Sequence, residues 1–226
     1  MKQRSFILFI LAVFCIGLMS SCDNDNNGDV RVLTKEEKAR ALSLTLGEYT
    51  TGMTFVLNQL SKPGSKYNKV GTVRNVKCRV ANDTTLTIAS IPMRALTDFI
   101  KDSNLKTALN QVDAQPLVCK INFYDDAPIC FLITKIQPQT FKVTYGGKQH
   151  TVVQNYDVAA PWSWGYYDYK FSKDLFAVVT TGKLTVDGVE VPLQAATIAV
   201  NTTPDNIYSV DLLRAKYKQY HINDMF

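Results

Sequence analysis

The chain has 226 residues, 46% of them hydrophobic, 11% aromatic and 20% charged, a composition that excludes a disordered, collagenous or low-complexity chain. Only one apolar run approaches spanning length, which excludes a polytopic membrane protein. The net charge of +5 falls to +3 without Lys2 and Arg4, too small a surplus to argue for nucleic acid as a partner.

The N-terminus reads as an address. Lys2 and Arg4 form a positive segment, Phe6–Met19 is an apolar run of 14 residues, and Ser20 and Ser21 precede Cys22. As a helix the run reaches about 21 Å, short of a hydrocarbon core, so residues 1–21 read as a signal peptide. Small residues directly before a cysteine resemble a bacterial lipobox. That resemblance makes Cys22 the acylated first residue of the mature chain and the membrane its first partner. Residues 22–33 form a tether, and its opening, Cys22-Asp23-Asn24-Asp25-Asn26-Asn27-Gly28-Asp29, is too polar to bury anything. It resembles the acidic stretch of surface-exported Bacteroidetes lipoproteins. The resemblance implies an outer-membrane anchor, with a surface-exposed domain favoured over a periplasm-facing one.

Residues 34–226 read as one β-rich domain, with two packed halves as the alternative. Thr34-Lys35-Glu36-Glu37 is a capping box that opens a helix running to about Leu46, stopped by Gly47. Tyr49–Leu57 reads as a strand and Ser61–Lys69 as a loop. Thr72–Val80 alternates, Asn82-Asp83 turns, and Thr84–Ile91 returns. Pro92 opens a helical pattern through Met93, Leu96, Phe99 and Ile100; a second short helix carries Leu105, Ala108 and Leu109. Strands follow at Leu117–Tyr124, Ile129–Ile136, Thr140–Tyr145 and Gln149–Asn155. Asp187-Gly188 joins Lys183–Val186 to Val189–Val191, and Ala195–Val200 and Ile207–Leu213 form a last pair. The class is mainly β with a minor α part: an antiparallel β-barrel or sandwich of about ten strands with two or three short helices. Thr50-Thr51-Gly52 and Thr180-Thr181-Gly182 are a weak internal echo that would suit halves.

The run Gly47-Glu48-Tyr49-Thr50-Thr51-Gly52-Met53-Thr54-Phe55, after a tether and a short helix, resembles small secreted lipoproteins of gut Bacteroidetes that carry domains of unknown function. Some of these have calycin-like or lipocalin-like barrels. The resemblance implies a barrel and brings no catalytic residues.

The main candidate for chemistry is Pro161-Trp162-Ser163-Trp164-Gly165-Tyr166-Tyr167-Asp168-Tyr169-Lys170-Phe171, which holds both tryptophans. As a strand it would put Trp162, Trp164 and Tyr166 on one face and Tyr167, Tyr169 and Phe171 on the other. Two readings stay open. Both rows are core, or one row is an exposed platform that stacks on sugar rings or meets a protein. Trp162, Trp164, Tyr166, Tyr167 and Tyr169 are the candidate contact residues, for a glycan or a small apolar ligand; no protein partner is specified.

Catalytic signals are absent. His150 and His221 lack a nucleophile motif, and Asp125-Asp126 before Ala-Pro reads as a turn. With no C-x-x-C, a metal site is not expected, nor is a cofactor. Cys78, Cys119 and Cys130 read as buried thiols. If Tyr124 faces Ile129, Cys119 and Cys130 share a sheet face but lie too far apart to bond. Asp83-Thr84-Thr85 resembles a Bacteroidetes O-glycosylation acceptor, and Arg214–Lys218 reads as a solvated basic face. The expected protein is a lipid-anchored envelope lipoprotein with a non-catalytic ligand-binding domain. The rival is an assembly lipoprotein using its aromatic row as a protein interface.

Overall fold

Thr34 starts the fold as the sequence predicts. Its hydroxyl accepts from Glu37 N at 3.2 Å while the Glu37 carboxylate accepts from Thr34 N at 2.8 Å, closing the capping box on α1 (Lys35–Thr45). Ala41 and Thr45 are the buried positions of this helix, and Leu33 just before it is buried too. The computed structural model describes residues 32–57, 69–98, 100–158, 163–192 and 196–202. The expected signal peptide, Cys22, residues 61–68 of the expected loop, Trp162, the expected strand Ile207–Leu213, Arg214–Lys218 and His221 lie outside the described residues.

Eleven strands follow among the described residues: β1 (Gly47–Leu57), β2 (Lys69–Val80), β3 (Thr85–Ile91), β4 (Gln115–Asp126), β5 (Ile129–Ile136), β6 (Gln139–Tyr145), β7 (Lys148–Asp157), β8 (Trp164–Tyr167), β9 (Leu175–Val186), β10 (Val189–Val191) and β11 (Ala196–Asn201). Between β3 and β4 stand α2 (Arg94–Thr97) and α3 (Ser103–Leu109). The pairing order β11-β1-β2-β3-β4-β5-β8-β9, with β9 returning to β11, closes an eight-stranded antiparallel barrel. Closure leaves no edge strand in the ring. The fold is therefore mainly β, and of the two expected architectures it is the barrel.

β9 does two jobs. Its first half pairs with β8 and β11 inside the ring, and its second half leaves the ring to pair with β7 and β10, with β6 beyond β7. Only the second half is legible in sequence. Leu175–Thr180 is buried on both faces, so it lacks the alternation that marks a half-buried strand. The helical stretch after Pro92 is also shorter than its spacing predicts. α2 has four residues, and Asp102 restarts the chain as α3 by accepting from Asn104 N and Leu105 N.

The barrel interior is occupied by Met53, Phe55, Val76, Cys78, Leu86, Ile88, Leu117, Cys119, Phe123, Phe131 and Ile133, among others, all nearly fully buried. Two rings lie over glycines on the neighbouring strand. Phe55 faces Gly71 and Phe131 faces Gly165, and a β-carbon at either glycine would sit 2.5 Å or closer to the ring. Leu33 and Ala41 of the α1 segment join this core, as do Met93, Ala95, Leu96, Ile100, Leu105 and Leu109 from the segment between β3 and β4. In β2, Asn75 takes a left-handed φ of 59° where the β1–β2 register shifts, a bulge that asparagine tolerates.

The three described cysteines are buried and unpaired with one another, as expected. The geometry that separates Cys119 from Cys130 differs from expectation. Asp126 faces Ile129, Cys119 faces Ile136, and two register shifts interrupt the pair. Cys119 points into the barrel, whereas Cys130 belongs to a cluster on the outer wall. They lie on opposite faces, not on a shared one.

Candidate functional site: the aromatic wall

β8 has four residues and sorts its rings by face. Gly165 and Tyr167 point inward, Trp164 and Tyr166 outward. Outside the barrel, Trp164 and Tyr166 meet Phe176 and Val178 of β9, Cys130 and Leu132 of β5, Ala199 of β11 and Tyr124 of β4. Tyr166 stacks on Phe176 at 5.3 Å between centroids, and Trp164 approaches Phe176 at 5.5 Å and Tyr166 at 6.4 Å. The wall is dry: Trp164 and Tyr166 are each 3% exposed, and Phe176 is fully buried. Burial pushes the Cys130 thiol up to about 12, with the Asp125 charge adding to it and a bond from Tyr124 opposing it.

Inside the ring end, Tyr167 meets Tyr49 edge to face at 5.7 Å. Tyr49 donates to the Thr45 carbonyl at 2.6 Å, and burial, then Tyr167, keeps its phenol protonated well above the usual range. The start of β1, the end of β8 and the end of α1 therefore meet at one end of the barrel.

The expected second row does not continue past Tyr167. Asp168 turns the chain, its carboxylate accepting from Lys170 N at 3.2 Å, Phe171 N at 3.1 Å, Ser172 N at 3.5 Å and Ser172 Oγ at 3.2 Å. Tyr169 is half-buried against the core with the Lys170 ammonium 5.6 Å above its ring, and Phe171 is 87% exposed. Of the five candidate residues, Trp164 and Tyr166 share the outer wall, Tyr167 lies inside, Tyr169 lies on the loop, and Trp162 is not among the described residues. An exposed aromatic row is not what β8 presents. The sequence reading missed Phe176, Cys130 and Ala199: Cys130 and Phe176 stand on the strands that pair directly with β8, Ala199 on the strand beyond β9, and the first half of β9 carries no alternation to mark it.

The other candidates are quieter. Asp125 Oδ1 accepts from Asp126 N at 2.7 Å and Ala127 N at 3.2 Å, so it forms the turn expected of it. His150 bonds the Asp187 carboxylate at 2.8 Å and stacks on Tyr145, tying two hairpin ends together. Asp83 sits at the β2–β3 turn, where its bond to Lys120 holds its carboxyl down to about 2. Among the described residues no group of three potential ligands forms a metal site, and no helix is long and apolar enough to cross a membrane.

A domain of unknown function, DUF4840, matches residues 45–186. The chain belongs to that family. The match runs from the end of α1 to the end of β9, so it takes in seven of the eight ring strands and omits β11, the strand that closes the ring. No curated protein and no solved structure matches the chain.

Proposed function

We propose that this DUF4840 protein is a lipid-anchored envelope lipoprotein, acylated at Cys22 at the outer membrane and facing the surface, whose barrel is a non-catalytic binding module. The observation that carries the binding reading is the placement of the aromatic layer. A barrel whose inside is filled by its own side chains holds a stacked Trp164–Tyr166–Phe176 layer on its outer wall, where polar side chains ordinarily stand. Such a layer favours a small apolar ligand over a glycan, because sugar hydroxyls need water or polar partners and this wall is dry. Because the chain itself already covers this layer, an apolar ligand, or in the second reading a protein partner, meets the wall only where that cover moves aside.

Fluorescence separates them. In a Trp162→Phe mature chain, Trp164 is the sole tryptophan, and its emission is expected to be blue-shifted and shielded from iodide. A long-chain fatty acid is expected to change that emission saturably, and a Tyr166→Ala variant to respond at least tenfold more weakly. No response to fatty acid, with concentration-dependent dimerisation lost in Trp164→Ala, would assign the wall to a protein partner instead.

A further inference from the structure

The apolar surface of this protein is unevenly placed. Six large apolar side chains are exposed among the described residues, and four of them, Val32, Leu44, Leu46 and Phe171, lie on the α1 segment and on the loop after β8. These two segments open at the same end of the barrel, since Tyr49 just after α1 touches Tyr167 just before the loop. Phe171 is the most exposed of the four, and it does not dangle. The Asp168 carboxylate pins the backbone on both sides of it, and the loop returns through Lys173 in a left-handed conformation, φ 54°. An aromatic ring held out into water by a fixed loop loses little conformational freedom when something covers it.

Exposed Lys170 and Lys173 flank the ring, and Lys35 and Arg40 lie exposed on α1. Acids stand at this end too, and those held by hydrogen bonds keep their charge. Asp168 holds the loop, Asp174 accepts from Thr202 at 2.9 Å, Asp125 forms the β4–β5 turn, Asp83 pairs with Lys120 at 2.7 Å, and Glu37 closes the capping box. Glu36 and Glu48 remain exposed. An apolar tip flanked by lysines, whose stems can lie along acyl chains while their ammonium groups reach phosphate, has the pattern of an interfacial anchor.

Chain length names the occupant. Ten residues separate Cys22 from Val32, a span of at most about 35 Å when fully extended. Resting on the reading of Cys22 as acylated, the α1 end of the barrel is held within that reach of a bilayer. We propose that this end seats on the lipid surface itself, with Phe171 inserted at the headgroup level and Lys170 and Lys173 on anionic headgroups. The lipid anchor then fixes the barrel's orientation, leaving the aromatic wall turned to the side rather than toward the bilayer.

The test uses the full lipidated protein in vesicles of phosphatidylethanolamine and phosphatidylglycerol, with a polarity-sensitive fluorophore on Lys170→Cys. Cys78, Cys119 and Cys130 are buried, with thiols pushed up to about 11, 12 and 12, so the label goes to the loop. The expected result is blue-shifted emission quenched by spin-labelled lipid near the headgroups, with the quenching reduced at least threefold when Phe171→Ser is added. Protein that floats with the vesicles while its label stays in water, with or without Phe171, overturns the docking and leaves the anchor standing. Protein that does not float overturns both. Blue-shift that grows with protein density on the vesicle, without lipid quenching, gives this face to a second copy of the chain and also overturns the proposal.

Discussion

Gly165 is the residue on which the two sides of β8 depend. A β-carbon there would lie 2.3 Å from the Phe131 ring and 2.5 Å from the Phe176 carbonyl oxygen. At Gly71 the close atoms belong to the Phe55 ring alone, which has some freedom to move. Gly165→Ala is therefore expected to cost more than Gly71→Ala, with about 1–3 kcal/mol lost at Gly165, measured by urea denaturation. Phe131→Leu added to Gly165→Ala should recover only part of the loss, because the backbone contact remains. The buried thiols give a second prediction at this scale. Burial raises Cys78, Cys119 and Cys130 to about 11, 12 and 12, so the folded protein holds these protons after the unfolded chain has released them. The unfolded state then binds fewer protons from about pH 8.5 upward, and stability falls as pH rises through the window up to about 12. In native protein at pH 8 the described thiols are expected to resist a disulfide reagent, and to react together when the chain unfolds.

At the scale of the element, α1 is held by its capping box and by a few buried contacts rather than by a broad apolar stripe. It buries Ala41 and Thr45, with Leu42 packed at the core's edge. Thr34→Ala removes the acceptor for Glu37 N and is expected to cost ~1 kcal/mol in urea denaturation, with Thr34→Ser close to neutral. Asp168 plays the matching part in the loop after β8. Asp168→Ala deletes the four bonds that order residues 170–172, and faster amide exchange confined to that loop is the expected outcome. These local devices were readable because capping and turn chemistry acts within three or four residues. The capping box is legible in sequence alone, and so are the bounds of Ile129–Ile136 and Val189–Val191. The first half of β9 was missed, since burial on both faces erases the period that identifies a strand.

For the whole molecule, the prediction that matters most concerns Cys22. A Cys22→Ala protein is expected to leave the membrane fraction, as judged by flotation; one that still partitions there would remove the lipoprotein reading. Sequence alone determined a mainly β class, most strand positions among the described residues, and the local capping and turn devices. All of these rest on short-range patterns of polarity, turn residues and spacing. The tertiary structure decided the rest. It made the architecture a closed barrel, since closure needs β11 to pair not only with nearby β9 but with β1, at the far end of the sequence. It put Cys119 and Cys130 on opposite faces, because the register shift between Phe123 and Asp125 gives β4 an extra residue there and reverses the parity. It also turned an expected aromatic row into a dry wall, an inner contact and an exposed loop tip. Which face a side chain occupies follows from strand parity, but what meets that face is set by strand pairings that periodicity does not specify.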